Sequence, residues 1–157
     1  IIATHHFDLL LPTIVSRSQR LSLLPITDEQ TNEIIKQLDI KDDTKRARMA
    51  FVGRGRPALI KRLSQDDTLY DAREAIMRDA KTMLGSNIYE KLALVHRYRD
   101  NRGNALTLLD DMNRQLQTVV RSQPDQRLVS DIARHLETRS RIAAGGNIRL
   151  QLAADVL

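Results

Sequence analysis

At 157 residues, 41% of them hydrophobic, the chain is long enough for one ordinary domain or two small ones and apolar enough to exclude wholesale disorder. It has no cysteine, which excludes disulfides and thiolate metal sites and makes a reducing, cytoplasmic setting the expectation, and no apolar run nears the roughly 20 residues of a membrane span. The net charge of +5 is concentrated: residues 1–40 carry −2, residues 41–62 carry +6 and residues 63–157 carry +1.

The opening "IIAT" reads as the end of a buried strand, β-branched and apolar, stopping at Thr4. "FDLLLPTIVSRS" is a brief helix interrupted or started at Pro12. "RLSLL" alternates and reads as a second strand, closed by Pro25. Two strands cannot cover their own faces, so residues 1–26 read as the remnant of an α/β unit whose sheet lies upstream.

From Thr27 the period becomes helical. Thr27 and Gln30 form a Thr-x-x-Gln capping box ahead of Ile34, Ile35 and Leu38. Asp42 or Asp43 caps a second helix that stops at Gly53, and Pro57 opens a third whose buried side is Leu59, Ile60 and Leu63. These helices make a small unit, residues 27–66, that contains the strongly positive segment 41–62. Its basic side chains Lys45, Arg46, Arg48, Arg54, Lys61 and Arg62 are the first place to seek a phosphate-bearing partner such as DNA, although a solvated helical face has the same composition.

Residues 67–157 read as helical throughout, with helices near 68–84, 88–99, 103–121 and 126–143 and a last one from about 147. Breaks fall at Gly85-Ser86-Asn87, Asn101-Arg102-Gly103, Gln123-Pro124-Asp125 and Gly145-Gly146-Asn147. In the third helix, Leu106, Leu109, Met112, Leu116, Val119 and Val120 form an apolar stripe that belongs to a core or a subunit interface. A core of Leu, Ile, Ala and Val with 3% aromatics suits packed helices, so the fold class is mainly α with two remnant strands.

Chemistry-bearing clusters are few. His5 and His6 are adjacent and point to opposite faces of a strand, so no metal site is expected there. His96 and His135 fall in helices, on the surface or half-buried. No Ser, His and acid arrangement supports a nucleophile.

Three stretches in order carry a family resemblance. "IIATHHFDLLLPTIVSRSQRLSLLPIT" resembles the segment after the Walker B strand in clamp-loader ATPases of the AAA+ class. "GRGRPALIKRLSQD" resembles their sensor 2 helix, and "AAGGNIRLQLAADVL" the end of their helical collar. The resemblance implies a three-part order: ATPase remnant at 1–26, three-helix lid at 27–66, and oligomerising collar at 67–157. It implies that Thr4 occupies the sensor 1 position, that Arg17 is a finger acting in trans on ATP held by a neighbouring subunit, and that Arg56 is the sensor 2 arginine.

An always-charged, forked guanidinium suits the roles given to Arg17 and Arg56, because it can hold γ-phosphate oxygens as charge develops. Arg17 also fits a surface arginine at a domain seam, and Arg56 a helix-start residue with purely local electrostatics. Two positions depart from the pattern: Ser18 replaces the usual cysteine, and Pro57 stands where ATP-hydrolysing relatives more often have an acid. No Gly-x-x-x-x-Gly-Lys-Ser/Thr occurs, so this stretch is not expected to hydrolyse ATP by itself or to hold a cofactor; ATP and Mg would be bound by neighbours. The implied partners are other clamp-loader subunits, a sliding clamp and primed DNA, with no membrane. The alternative is a stand-alone helical module that binds nucleic acid or protein through residues 41–62.

Overall fold

The computed structural model describes residues 1–4, 10–38 and 40–156, so His5 and His6 lie outside the described residues. In chain order the helices are α1 (Pro12–Val15), α2 (Asp28–Gln37), α3 (Asp43–Gly53), α4 (Pro57–Gln65), α5 (Asp67–Gly85), α6 (Ile88–Tyr98), α7 (Arg102–Ser122), α8 (Gln126–Ala143) and α9 (Ile148–Val156). The class is mainly α.

Among the described residues there is no strand. Residues 1–4 and 19–27 are irregular, and Leu21, Leu23 and Leu24 are 82%, 86% and 86% exposed. The β pattern of "RLSLL" is real, but a ladder needs a neighbouring strand, and no described segment supplies one.

Helix starts follow local chemistry closely. The Thr27 hydroxyl accepts from Gln30 N–H at 3.2 Å while the Gln30 side chain accepts from Thr27 N–H at 3.0 Å, closing the capping box. Asp42, not Asp43, caps α3, with its Oδ1 accepting from Thr44 N–H and Lys45 N–H at 2.8 and 3.2 Å. Asp66, Asn87, Asn101, Asp125 and Asn147 likewise accept backbone N–H bonds at the heads of α5 to α9.

Two apolar cores result. The first gathers Ile35, Met49, Val52, Ile60, Leu63 and Tyr70 under α2, α3 and α4. Gly53 is required there by proximity: a Cβ at this position would stand 2.1 Å from Ile60 Cγ1, so α3 and α4 meet only if residue 53 has no side chain. The second core packs α5 to α9 around Ala80, Met83, Leu94, Leu108, Leu109, Ile142 and Leu152, among others.

Helix α5 serves both cores. Its Tyr70 belongs to the first, and its Ile76, Ala80 and Met83 to the second. A buried, two-pronged ion pair fixes α5 to α7: Arg73 Nη2 donates to Asp111 Oδ1 at 2.6 Å, and Arg73 Nη1 donates to Asp111 Oδ2. Arg114 then reaches from α7 to the C-terminal end of α3 and donates to Phe51 O and Val52 O at 2.9 and 3.2 Å, where a cation meets the negative end of a helix. Arg102 treats the end of α8 similarly, donating to Ile142 O at 2.6 Å.

The stripe expected on α7 is buried at Leu109, Met112 and Leu116 but not at Val119, which is 44% exposed. Because α7 packs against α5 on one side and α8 on the other, its buried surface is wider than a single stripe and takes in Asp111 and Asn113.

Candidate functional site

Arg17 follows the four-residue helix α1, which Pro12 opens from its first turn. The flanking serines bond back onto that helix: Ser16 Oγ donates to Thr13 O at 3.3 Å and Ser18 Oγ to Ile14 O at 2.7 Å. The backbone N–H of Arg17 donates to Ile14 O at 3.2 Å. Both hydroxyls are thus occupied by carbonyls at the helix end, and the turn presents Arg17 to solvent with no ion pair among the described residues. Serine at position 18 has a physical use in that turn, which its hydroxyl closes.

Thr4 is exposed and outside regular structure. Arg56 is the N-cap residue of α4, its carbonyl accepting from Leu59 N–H and Ile60 N–H at 3.1 and 3.2 Å. Its side chain is exposed and gives no cap bond. A guanidinium and the positive end of a helix dipole therefore share one end of α4, although Pro57 has no N–H and those of Leu59 and Ile60 are already bonded to Arg56 O. Neither Arg17 nor Arg56 makes a side-chain hydrogen bond or ion pair among the described residues.

The basic segment looks different once folded. Lys45 donates to Asp67 at 2.8 Å and lies 4.8 Å from the Tyr70 ring centroid. The hydrogen bond to Asp67 holds the Lys45 ammonium above its ordinary pKa. Arg46 pairs with Asp43, Arg48 with Glu74, and Arg54 grips both carboxylate oxygens of Asp28, its Nε 2.5 Å from Oδ1. Three of these four acids lie outside residues 41–62, so about half of the local excess of positive charge is met by chain folded back onto it. Lys61 and Arg62, on α4, stay exposed with no ion pair among the described residues. With Arg56 they leave α4 as the open positive face of the unit.

His135 departs from the expectation of a surface or half-buried side chain, being 3% exposed. It faces Asp155 of α9, 4% exposed, with Nε2 3.4 Å from Oδ2. The Thr138 hydroxyl donates to the other carboxylate oxygen at 3.0 Å, and Arg134 Nε stands 3.8 Å from it. Burial pushes the imidazole pKa down and the carboxyl pKa up, each opposed by the other's charge. Arg134, His135 and Thr138 of α8 match a solvated face in sequence, and the docking of α9 buries His135 and Thr138 while Arg134 stays exposed. His96 is exposed as expected. Among the described residues, no group of three or more His, Asp or Glu side chains gathers as metal ligands, and no helix is long and apolar enough to cross a membrane.

Comparison with family models, with curated proteins and with solved structures finds no match for this chain.

Proposed function

We propose that the chain is the C-terminal portion of a sliding-clamp-loader subunit of the AAA+ class, nearest in its motifs to the delta-prime subunit of bacterial DNA polymerase III, acting in cytoplasmic DNA replication. In this reading α2–α4 are the lid and α5–α9 the collar through which the subunit joins a hetero-oligomer. Arg17 reaches the γ-phosphate of ATP, with its Mg ion, on a neighbouring subunit. As the phosphoryl group leaves, its oxygens gain charge that a fixed guanidinium stabilises without rearranging water. Thr4 and Arg56 read nucleotide state in the same subunit. Lys45, Arg46, Arg48, Arg54, Lys61 and Arg62 lie toward primed DNA, and Lys61 and Arg62 are the two that form no ion pair among the described residues.

The observation that carries this reading is the setting of Arg17. The Ser-Arg-Ser turn ties down both serines and leaves the arginine extended into solvent, whereas Arg54, Arg73, Arg102, Arg114 and Arg139 are all bound within the chain. Exposed Val119, Val129, Leu136 and Leu150 on α7, α8 and α9 add apolar surface of the kind a collar interface uses. The test is reconstitution of the full-length protein, wild type or Arg17→Ala, with partner subunits, clamp and primed DNA. ATP turnover at the neighbouring site should fall roughly 10³-fold or more with assembly intact. Unchanged turnover would reduce Arg17 to a surface residue. Failure to assemble with any clamp-loader partner would favour a stand-alone module binding nucleic acid or protein.

A further inference from the structure

A groove of about 510 Å³ lies where α3, α5 and α7 meet, at the seam of the two cores. Its floor is apolar, formed by the half-buried Phe51 of α3 and Met77 of α5. Its rim is cationic: Arg48 from α3, and Arg78 and Lys81 from α5, surround the single acid Glu74. Glu74, 17% exposed at its side chain, receives Arg48 and Arg78 on the same oxygen, Oε1. One carboxylate therefore answers two guanidiniums, each of which has five N–H donors. The Arg78 side chain is 72% exposed, and Lys81 is exposed with no ion pair among the described residues.

The rim is thus two charges positive around a floor that presents carbon, in a depression held rigid by its own helices. Gln115 of α7 closes one side, its amide donating to Met77 O at 3.4 Å. Glu74, Met77, Arg78 and Lys81 recur at helical spacing over two turns, about 10 Å of α5. That is room for three or four residues of an extended segment or two turns of a helix.

We propose that this groove docks an acidic, partly apolar peptide segment of a partner protein. One bulky apolar side chain sits on Phe51 and Met77, and flanking carboxylates meet Arg78 and Lys81. A nucleic acid backbone fits less well, because its phosphates would face the Glu74 carboxylate and leave the apolar floor uncovered. Burying an apolar anchor supplies the affinity, while the rim charges select acidic sequences and speed encounter.

The test begins with random 12-residue peptides displayed and selected against the intact chain. The selected peptides are then synthesised with a fluorescein label and titrated by anisotropy. The expected result is a consensus of Asp or Glu beside Leu, Phe or Met. Binding should fall about tenfold or more on combined Arg78→Glu and Lys81→Glu, which are surface changes that leave the helical circular dichroism intact. It should also fall on Met77→Gln, and should not change on Arg127→Glu with Arg149→Glu, exposed cations of α8 and α9. Failure of any such consensus to emerge overturns the proposal, as does equal binding to the charge-reversed protein. A 12-nucleotide oligo-dT that binds more tightly than the peptides, and loses that binding on the same reversal, would assign the groove to nucleic acid instead.

Discussion

Among the described residues, the core under α2–α4 holds six buried apolar side chains, Tyr70 of α5 being one of them, and is tied to α7 by Arg114, whereas the core of α5–α9 holds thirteen and encloses polar pairs of its own. The smaller core has little apolar surface in reserve, so its fit rests on single contacts such as Gly53 against Ile60. The larger one buries enough carbon to carry Arg73–Asp111 and His135–Asp155 without falling apart. Burial gives the larger core its strength, and the polar pairs set which helix meets which and at what height. The two regions should accordingly fail in different ways.

The largest loss should come from Asp111→Ala, which strands a buried guanidinium at the α5–α7 contact. Urea unfolding should show a destabilisation of about 3–5 kcal/mol, and Arg73→Met with Asp111→Leu together should recover most of it. Next, Gly53→Ala forces the α3–α4 contact apart at a cost of about 1–3 kcal/mol. Amide exchange should register that loss in α2–α4 and leave α8 and α9 protected. Arg114→Ala removes the two bonds to the end of α3, worth about 1–2 kcal/mol. Its signature is a split of one thermal transition into two, since the smaller core loses its link to the larger. If a single transition persists in both of these variants, the cores are less separate than their contacts imply.

The smallest effect is a pH dependence confined to the larger core. With its folded pKa depressed by burial, His135 binds protons more readily when unfolded, so stability falls as pH drops through the unfolded imidazole value of about 6.5. Asp155, with its folded pKa raised, works in the opposite sense: its burial cost is present at neutral pH and lifts as pH falls through that raised value. Arg134 and Asp131 act on both groups from nearby, and Lys91 acts on the imidazole. His135→Gln should leave only the carboxyl contribution, so the variant gains stability relative to wild type between pH 7 and pH 5. Asp155→Asn should leave only the imidazole contribution, making stability fall more steeply with acid. Parallel chemical-denaturation curves at the two pH values would measure both.

Most of the fold is legible in the sequence because its information is local. A capping box, a run of Asx caps and glycine–asparagine breaks put the helices in place to within a residue or two at most boundaries. What failed was tertiary in origin. The alternation of Leu21, Leu23 and Leu24 reads as a strand, but strandness is a property of pairs and no described segment offers a partner. His135 reads as surface or half-buried because Asp131, Thr138 and Arg139 lie near it on its own helix, and full burial comes with α9, whose docking face a single-helix pattern does not reveal. Asp111 sits at core spacing between Leu109 and Met112, a visible anomaly whose partner is 38 residues away. The +6 of residues 41–62 is a sum along the chain, whereas the field in the folded protein also depends on Asp28, Asp67 and Glu74 packed against it. Among the site residues, the exposure of Arg17 follows from two serine hydroxyls, a short-range effect that the Ser-Arg-Ser triplet already contains.

The division of α5 between the cores bears on how the chain can be cut. Separating it between Asp66 and Asp67, where helix α4 gives way to α5, would take Tyr70 from the first core and the cation–π contact from Lys45. Cleaving instead within α5 would break the helix that carries Ile76, Ala80 and Met83. A fragment that keeps the first core whole must therefore extend through Tyr70, and a partner that fits the second must accept a helix whose first two turns belong to someone else.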